Sequence, residues 1–510
     1  MDPEALLSGD GAERRKSSVE SFSPSFASPR RKGTVTSSVF SLVSTILGGG
    51  VLSLPYAFSE AGIIPGIFLL LAVAVASDFS AFTLATCSRR AAAHTYEDVA
   101  ALAFGNVGRI LSQILVVMLT FLALIAYSIL LREILGTFIS HRAIVLLLVA
   151  GLELAIVPLA MLTSFSKLRF TSLLCFCSVL GVTLCVMVHF ATCASSSAKH
   201  ALHTKVLWPN DKFGVFRALP VLICTFLCHF NLLAVHGELE NPSTGRVKTM
   251  VHGAVGSASM IYFVIGLSGA AFSDCRGKET SDNILTEFDP PELSGKIVVS
   301  VTKVGIMATL LFALPMIAAP CRDTILRLWR TCWIPPDAIS LNEIAKDDVN
   351  NPLVDSNAVP TTSDDDAAAA TASPAAATAG DVIANGDGNE WGVARTRDYS
   401  ADTDSSSLGI SRTAQGTTSL TVLTLLIFVA QFAVASVTPT VSTVWAFIGS
   451  IVGPIIAFVI PAASYLMITS PAEIQNRKQW WRFCSWTLLV SSICAMCVCT
   501  YITIHDIATA

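Results

Sequence analysis

The sequence is poor in charged residues. Asp, Glu, Lys and Arg make up only 14% of its 510 residues, whereas soluble domains carry about 25%. Hydrophobic residues account for 53% of the chain. We therefore predict an all-α polytopic membrane protein, because helices satisfy their own backbone hydrogen bonds inside the lipid bilayer.

Several functional signatures are also missing. The chain has no basic domain or motif typical of nucleic-acid binding, which excludes a nucleic-acid partner. It has no nucleotide-binding P-loop, so we do not expect it to hydrolyse ATP. We find no catalytic residues and no metal cluster at membrane depth, and none of the 14 cysteines has the spacing of zinc ligands. We therefore expect a protein that is not an enzyme and that carries no cofactor.

The N-terminal region lacks the apolar core of a cleavable signal peptide. Residues 1–33 are polar, Ser-rich and partly basic, and we predict a disordered cytosolic tail. The first apolar segment would then act as the insertion signal. Lys and Arg are enriched in alternate loops, and this bias predicts a cytosolic N-terminus.

Apolar segments of about 20 residues, the length needed to cross a bilayer, recur along the chain. We predict about 11 transmembrane helices, eight within residues 34–330 and three within 418–510. They lie near 35–58, 63–87, 108–132, 143–162, 169–192, 214–237, 249–272, 297–319, 418–437, 441–466 and 484–505.

Residues 331–417 interrupt this pattern. They are rich in Ala, Thr, Ser and Asp and contain few bulky apolar side chains. Such a segment buries too little surface to offset its ordering entropy, so we predict a disordered cytosolic loop. The loop is either a regulatory segment with a protein partner or a tolerated insertion.

The first span contains three consecutive glycines, Gly48, Gly49 and Gly50, followed by Pro55. Glycine and proline both disfavour a helix interior, so we predict a broken helix. Backbone groups freed at membrane depth need protein, water or a ligand as partner, and transporters use such breaks to hold substrates and ions. The alternative is a tight helix–helix contact made by small residues.

The sixth span carries Cys228 and His229 within an apolar run. Polar side chains inside a bilayer often mark a transport pathway. If the first ten spans form two inverted repeats, the sixth span is the counterpart of the first. We then expect a second irregular segment, around residues 229–232, facing the glycines.

Taken together, these and further motifs of the chain resemble those of the amino acid/auxin permease family of amino acid transporters, within the amino acid–polyamine–organocation superfamily. The residues that carry the resemblance are spread over the predicted spans: Leu47–Ala57, Tyr96-Glu97-Asp98, Phe104-Gly105, Cys228-His229, Gly237-Glu238-Leu239, Asn241-Pro242-Ser243, Asn283-Ile284-Leu285, Leu314-Pro315, Pro320-Cys321-Arg322, Ile448-Gly449-Ser450 and Pro461. The resemblance implies a five-plus-five inverted repeat with discontinuous helices 1 and 6, and secondary active amino acid transport by alternating access.

The resemblance also implies a substrate site between the first and sixth spans. Backbone N–H groups near the glycines would hold the substrate carboxylate, and carbonyls near 225–228 would receive its ammonium group. The site residues are then Thr45, Gly48, Gly49, Gly50, Thr225, Cys228 and His229. No acidic residue falls in these stretches, which favours a neutral amino acid over a cationic one.

The coupling ion follows from a departure from the family pattern. In the sodium-coupled branch of the family that the chain resembles, an Asn stands where Ser44 aligns. Hydroxyl residues stand where Leu311 and Ala313 align. The sequence therefore favours H+ as coupling ion over Na+. The candidate coupling residues are Ser44, Asp78, His229 and Lys303, with His229 first because its side chain titrates in the physiological range. Glu153 is a further titratable group within a span, and we interpret Asp78 and Glu153 as candidate structural partners of Lys303.

The resemblance further implies a disulfide between Cys193 and Cys275, in loops on the non-cytosolic side. The protein would lie in the plasma membrane or in the membrane of an acidic organelle. The alternatives are an amino acid sensor that signals through its cytosolic segments, and a sodium-coupled or cationic amino acid carrier.

Overall fold

The computed structural model describes residues 33–91, 93–161, 169–196, 207–209, 211–288, 293–333, 414–469 and 476–509. The predicted tail up to residue 32 and most of the predicted loop, 334–413, lie outside the described residues. Within the described ranges the chain is nearly all helical and has no β-strand beyond one isolated bridge.

The structure confirms an all-α polytopic membrane protein. The described residues contain ten helices long and apolar enough to cross a membrane, and one bent pair that meets the same criteria when its two parts are taken together as an eleventh span. We number the spans in chain order: span 1 Val35–Ile46 with Gly49–Ala61, span 2 Ile63–Ala91, span 3 Tyr96–Gly136, span 4 Arg142–Ala160, span 5 Arg169–Ser196, span 6 Gly214–Thr225 with His229–Glu238, span 7 Thr244–Cys275, span 8 Leu293–Trp333, span 9 Ala414–Val437, span 10 Val441–Ile468 and span 11 Asn476–Thr509.

Some boundaries differ from the prediction. Span 8 continues to Trp333 and span 9 begins at Ala414, so helix extends into both ends of the predicted 331–417 loop. Span 3 begins at Tyr96 and has a kink at Gly105, whose φ of 67° lies in the left-handed region that glycine tolerates. The Tyr96-Glu97-Asp98 motif therefore lies in a short helix before the kink.

Span 1 breaks where the glycines begin. Its first helix ends at Ile46, its second part starts as a 3₁₀ turn at Gly49, and the two parts meet at an angle of 53°. Leu47 still donates its N–H to the Val43 carbonyl, whereas Gly48 has an extended backbone. Pro55 stands in the first turn of the helix that follows, where its missing N–H costs nothing.

Span 6 breaks in a corresponding place. Its first helix has 12 residues, the same number as the first helix of span 1, and the break covers residues 226–228. Equal first segments are what an inverted repeat predicts. The irregular segment expected around residues 229–232 was placed too late, because His229 already begins the second helix. The polar side chain of His229 suggested a break that the backbone makes three residues earlier.

Span 10 departs from α-helical geometry as well. Two π-helical turns, Ile448–Val452 and Ile455–Val459, lie in its middle. Gly449 packs directly on span 6, since a Cβ there would lie 1.8 Å from the carbonyl oxygen of Pro220. A glycine is therefore required for this approach of spans 6 and 10.

Small residues also seat the second half of span 1 against span 7. A Cβ on Gly266 would lie 2.7 Å from the Phe58 ring, and one on Gly269 would lie 2.4 Å from the Pro55 ring. At the far end of span 7 a disulfide joins Cys275 to Cys193 of span 5, the pair implied by the resemblance. We call the end of the spans that carries this bridge the disulfide side.

Candidate functional site

The glycine run of span 1 lies against span 3. The N–H of Gly49 donates to the Tyr127 hydroxyl at 3.3 Å, and Tyr127 is almost fully buried. The N–H of Gly48 donates to the Ile46 carbonyl at 2.7 Å. Two of the three N–H groups expected to hold a carboxylate are thus engaged within the protein, one by a backbone carbonyl and the other by a side-chain hydroxyl.

The two breaks are in contact. Gly50 of span 1 packs against Thr225 of span 6. A Cβ on this glycine would lie 3.0 Å from the Thr225 methyl carbon. The breaks therefore form one locus at membrane depth, where the end of one helix segment lies beside the start of another.

A tyrosine of span 7 links the carbonyls of the two breaks. The hydroxyl oxygen of Tyr262 lies 2.6 Å from the Ile46 carbonyl oxygen and 3.0 Å from that of Thr225. Tyr262 is fully buried, and its single hydroxyl proton serves two acceptors. Carbonyls with spare acceptor capacity suit an ammonium group, which brings three donors.

Two further contacts close this locus. The side-chain N–H of Asn231 in span 6 donates to the Thr45 hydroxyl at 3.0 Å, and Thr45 in turn donates to the Ser41 carbonyl. The Cys175 thiol of span 5 points to the Leu47 carbonyl at 3.1 Å. The break in span 1 therefore contacts spans 3, 5, 6 and 7.

The locus offers complementary charge within a few ångströms. At each break, N–H groups at the start of one helix segment and carbonyls at the end of another lie outside the regular helical hydrogen-bond pattern, with partial positive and negative charge respectively. An amino acid's own carboxylate and ammonium groups match that pair. The structure thus brings Gly48, Gly49, Gly50, Thr225 and Thr45 together, and their role in substrate binding stays a prediction.

Three predicted residues lie at the locus without pointing a free polar group into it. The Ser44 hydroxyl donates to the Ser41 carbonyl at 2.9 Å, within its own helix. The Thr225 hydroxyl does the same with Leu222 at 2.8 Å. Cys228 is fully buried and precedes the second helix of span 6.

The His229 side chain turns away from the glycines. Its ring is fully buried beside the Ser77 backbone of span 2 and contacts Phe458 of span 10 edge-on, with the ring centroids 6.4 Å apart. Neither ring nitrogen has a hydrogen bond of ordinary length to any residue that the structure describes.

The remaining coupling candidates lie apart from the breaks. Asp78 of span 2 pairs with His252 of span 7, carboxylate oxygen to Nδ1, at 2.6 Å. Lys303 of span 8 donates to the Thr137 hydroxyl at 3.1 Å, and its ammonium lies 5.7 Å from the centre of the Phe138 ring. Lys303 thus sits at the disulfide-side end of span 3.

Four side chains at the locus were not among the predicted site residues: those of Tyr127, Tyr262, Cys175 and Asn231. One signal was available for the tyrosines: the chain has only seven, and these two are among the five that fall inside the predicted spans. A hydroxyl at such a depth needs a partner, and broken helices supply free backbone groups. Among the described residues, no group of three or more His, Cys, Asp or Glu side chains could hold a metal ion.

Comparison with known proteins identifies the family of the chain. The family model described as transmembrane amino acid transporter protein matches residues 31–505, nearly the whole chain. The chain belongs to the transmembrane amino acid transporter family. The expected family is thereby confirmed, and the match runs across every span described above.

Individual relatives are 26–28% identical to this chain, and each match covers only part of it. "Putative sodium-coupled neutral amino acid transporter 11" of Danio rerio is 27% identical over 47% of this chain and 54% of its own length. "Amino acid transporter AVT6B" of Arabidopsis thaliana is 28% identical over 56% of this chain and 66% of its own. "Vacuolar amino acid transporter 5" of Schizosaccharomyces pombe is 26% identical over 59% and 71%. The matched stretches thus span about half to 70% of these relatives.

Proposed function

We propose that this protein is a secondary active transporter that carries neutral amino acids by alternating access and is driven by a proton gradient. One observation carries the proposal. The breaks of spans 1 and 6 meet, with the Gly49 N–H on the Tyr127 hydroxyl and the Ile46 and Thr225 carbonyls on the Tyr262 hydroxyl. The names of the relatives, which include neutral and vacuolar amino acid transporters, support the same substrate class.

In this proposal the two tyrosine hydroxyls occupy positions that the substrate shares. The substrate carboxylate accepts from the Gly49 N–H and from the Tyr127 hydroxyl, which rotates to donate. The substrate ammonium donates to the Ile46 and Thr225 carbonyls beside Tyr262. Binding then joins spans 1, 3 and 6 through one molecule, as a carrier that alternates around a central site requires.

Contacts at the break in span 1 favour the proton over sodium. Sodium needs several oxygen ligands, yet the Leu47 carbonyl faces the Cys175 thiol and the Ser44 hydroxyl is used within its own helix. The Thr309 hydroxyl of span 8 donates to the Ser178 hydroxyl of span 5 at 3.0 Å. The oxygens that could surround a sodium ion are thus directed elsewhere.

Orientation and membrane follow from the same proposal. We place the N-terminus in the cytosol, from the distribution of Lys and Arg, and the disulfide on the opposite side. An oxidising compartment on that side is compatible with the plasma membrane or with an acidic organelle.

Uptake into lipid vesicles tests the proposal. Purified protein is reconstituted, and labelled neutral, cationic and acidic amino acids are compared under a pH gradient, a sodium gradient or neither. We expect neutral amino acids to accumulate under the pH gradient alone. Accumulation driven only by sodium, or only of cationic substrates, would reverse those parts of the proposal. Saturable binding without flux would instead identify a sensor.

A further inference from the structure

A buried carboxyl group lies between spans 3, 4 and 9, in a part of the molecule that contacts the substrate locus but is not part of it. Glu153 of span 4 contacts the Ser128 hydroxyl through one oxygen. Its other oxygen accepts from the Gln431 side-chain nitrogen at 2.6 Å. The Ser128 hydroxyl oxygen also lies 2.8 Å from the Gln431 carbonyl oxygen. The three side chains form a closed ring of three contacts.

This ring is sealed from water and from cations. The exposed fractions are 3% for Glu153, 1% for Ser128 and 0% for Gln431. Among the described residues, no Lys, Arg or His forms a salt bridge with Glu153, whose hydrogen-bond partners are the Ser128 and Gln431 side chains. An ionised carboxylate buried in this way, with neutral partners alone, is costlier than a neutral one.

Charged groups on the packed helices are directed elsewhere. Arg132 lies one turn from Ser128, but its guanidinium donates to the Ala435, Thr438 and Pro439 carbonyls at the end of span 9. Glu133 accepts from the Asn283 amide, and Arg142 at the start of span 4 donates to the Ser436 carbonyl.

Counting protons shows which form of Glu153 closes the ring. Each of the three contacts needs one proton between its heavy atoms. Ser128 supplies one, and the Gln431 amide directs one at Glu153, so two protons serve three contacts if Glu153 is ionised. Exchanging the oxygen and nitrogen of the Gln431 amide leaves this count unchanged. The third proton must come from the carboxyl group.

We propose that Glu153 is the proton-binding site of this carrier, which rests on the proton coupling proposed above. In the proton-loaded state the carboxyl O–H donates into the ring of Ser128 and Gln431. When the proton leaves, one contact becomes two oxygens without a hydrogen between them, and the ring opens. The step is a proton transfer: the carboxyl O–H bond breaks, an O–H bond to a water molecule forms, and Glu153 is left as a carboxylate.

The ring is adjacent to the substrate locus along the chain. Ser128 follows Tyr127, whose hydroxyl accepts from the Gly49 N–H. Opening the ring frees Ser128 from spans 4 and 9, and span 3 then carries Tyr127 with it. Proton binding at Glu153 thereby favours one position of the hydroxyl that the substrate carboxylate contacts.

In this proposal the proton reaches the ring from a cavity on its disulfide side. It has a volume of about 570 Å³ and opens at the disulfide side between the ends of spans 3, 4 and 9, where Arg132, Glu133 and Val145 line it. Val145 is two helical turns along span 4 from Glu153. Water in this cavity would exchange protons with the ring when it opens.

Two experiments test this site. In the first, infrared difference spectra of purified protein are recorded in H₂O and D₂O at neutral pH. We expect the band of a protonated carboxyl group, shifted by deuteration, absent in Glu153→Gln and displaced in Ser128→Ala. A wild-type protein without such a band, or a band unaffected by both changes, would overturn the proposal. This readout does not depend on transport.

The second experiment compares accumulation with exchange in the same vesicles. A carrier of one proton per substrate accumulates up to about tenfold per unit of pH gradient. We expect Glu153→Gln to lose this accumulation, normalised to its exchange flux, while Glu238→Gln, an exposed carboxyl at the end of span 6, keeps it. Accumulation by Glu153→Gln at the wild-type ratio would refute the assignment. A wild-type protein that exchanges no amino acid would refute the proposed function instead, leaving the infrared result to decide the site.

Discussion

The hydroxyl oxygen of Tyr127 lies 3.3 Å from the backbone nitrogen of Gly49. This contact joins the middle of span 3 to the break in span 1. It brings a side-chain hydroxyl to an N–H group of the glycine run. The ring of Tyr127 also packs against the same glycine, where a Cβ would lie 2.9 Å from the ring. The hydroxyl and the ring therefore have separable roles.

Tyr127→Phe separates them. The ring keeps its packing, whereas the hydroxyl that meets the substrate carboxylate is lost. We expect the KM for a neutral amino acid to rise several-fold to about tenfold, because a hydrogen bond contributes about 0.5–1.5 kcal/mol. Initial uptake rates in vesicles measure it. Tyr96→Phe is the matched control, since the Tyr96 hydroxyl donates to the Ile456 carbonyl, far from the glycines. An unchanged KM in Tyr127→Phe would remove this hydroxyl from the site.

Gly50→Ala tests the packing of the two breaks. The new methyl would lie 3.0 Å from the Thr225 methyl carbon, so we expect a loss of about 1–3 kcal/mol in stability. Thr225→Ser removes that methyl carbon and keeps the hydroxyl, and the double variant should regain most of the thermal midpoint. Gly151→Ala is the control, because no atom lies within 4 Å of its added Cβ. A double variant as unstable as Gly50→Ala would show that the breaks do not meet in this way.

The Cys193–Cys275 bridge closes a long loop, whose ends are 82 positions apart in the sequence. We expect the double change Cys193→Ser/Cys275→Ser to cost about 2–4 kcal/mol, through the added freedom of the unfolded chain. Thermal midpoints with and without reductant measure it: reductant should lower the wild-type value toward that of the variant. Cys494→Ser, at an exposed free cysteine, controls for loss of a thiol. A wild-type protein insensitive to reductant would speak against a stabilising bridge.

Glu287 predicts a pH dependence of stability. It lies in the loop after span 7, where burial raises its pKa although it accepts hydrogen bonds from the Ser273 hydroxyl and the Ser281 N–H. The folded protein thus binds this proton more tightly than the unfolded chain. Its contribution to stability is fully present below the unfolded pKa of about 4.3 and is lost as pH rises through the raised pKa.

Glu287→Gln remains neutral at every pH and isolates this effect. We expect the thermal midpoint of the variant, relative to wild type, to rise as pH increases from about 4 to about 7. Glu279→Gln, at an exposed carboxyl of the same loop, controls for removal of one negative charge. A difference between Glu287→Gln and wild type that stays constant with pH would contradict the prediction.

Local patterns identified the broken helix of span 1 well and that of span 6 less well. Glycine and proline act on the backbone where they stand, so Gly48–Gly50 and Pro55 located the first break. Span 6 has no glycine at its break, and Thr225, Phe226 and Leu227 are compatible with a continuous helix. The local signal in span 6 is therefore the polarity of His229, which marks the start of the next segment.

The side chains proposed to contact the substrate and the proton were harder to find. Tyr127 and Gly49 are 78 residues apart, and Tyr262 and Ile46 are 216 apart. Glu153 was interpreted only as a structural partner. Its ring with Ser128 and Gln431 could not be foreseen, because the three side chains come from three spans and lie up to 303 residues apart in the sequence. Nothing in the neighbouring residues indicates such meetings.

The sequence by itself determined the eleven spans, the family and the break in span 1, because apolar length, motif order and helix-breaking residues act locally on the chain. Only the tertiary structure decided which polar groups meet. The rotation of each helix about its axis sets the direction of every side chain, and that rotation depends on packing against all neighbouring helices at once. The Tyr127 hydroxyl on Gly49, the Tyr262 hydroxyl between two breaks and the ring around Glu153 all follow from that packing.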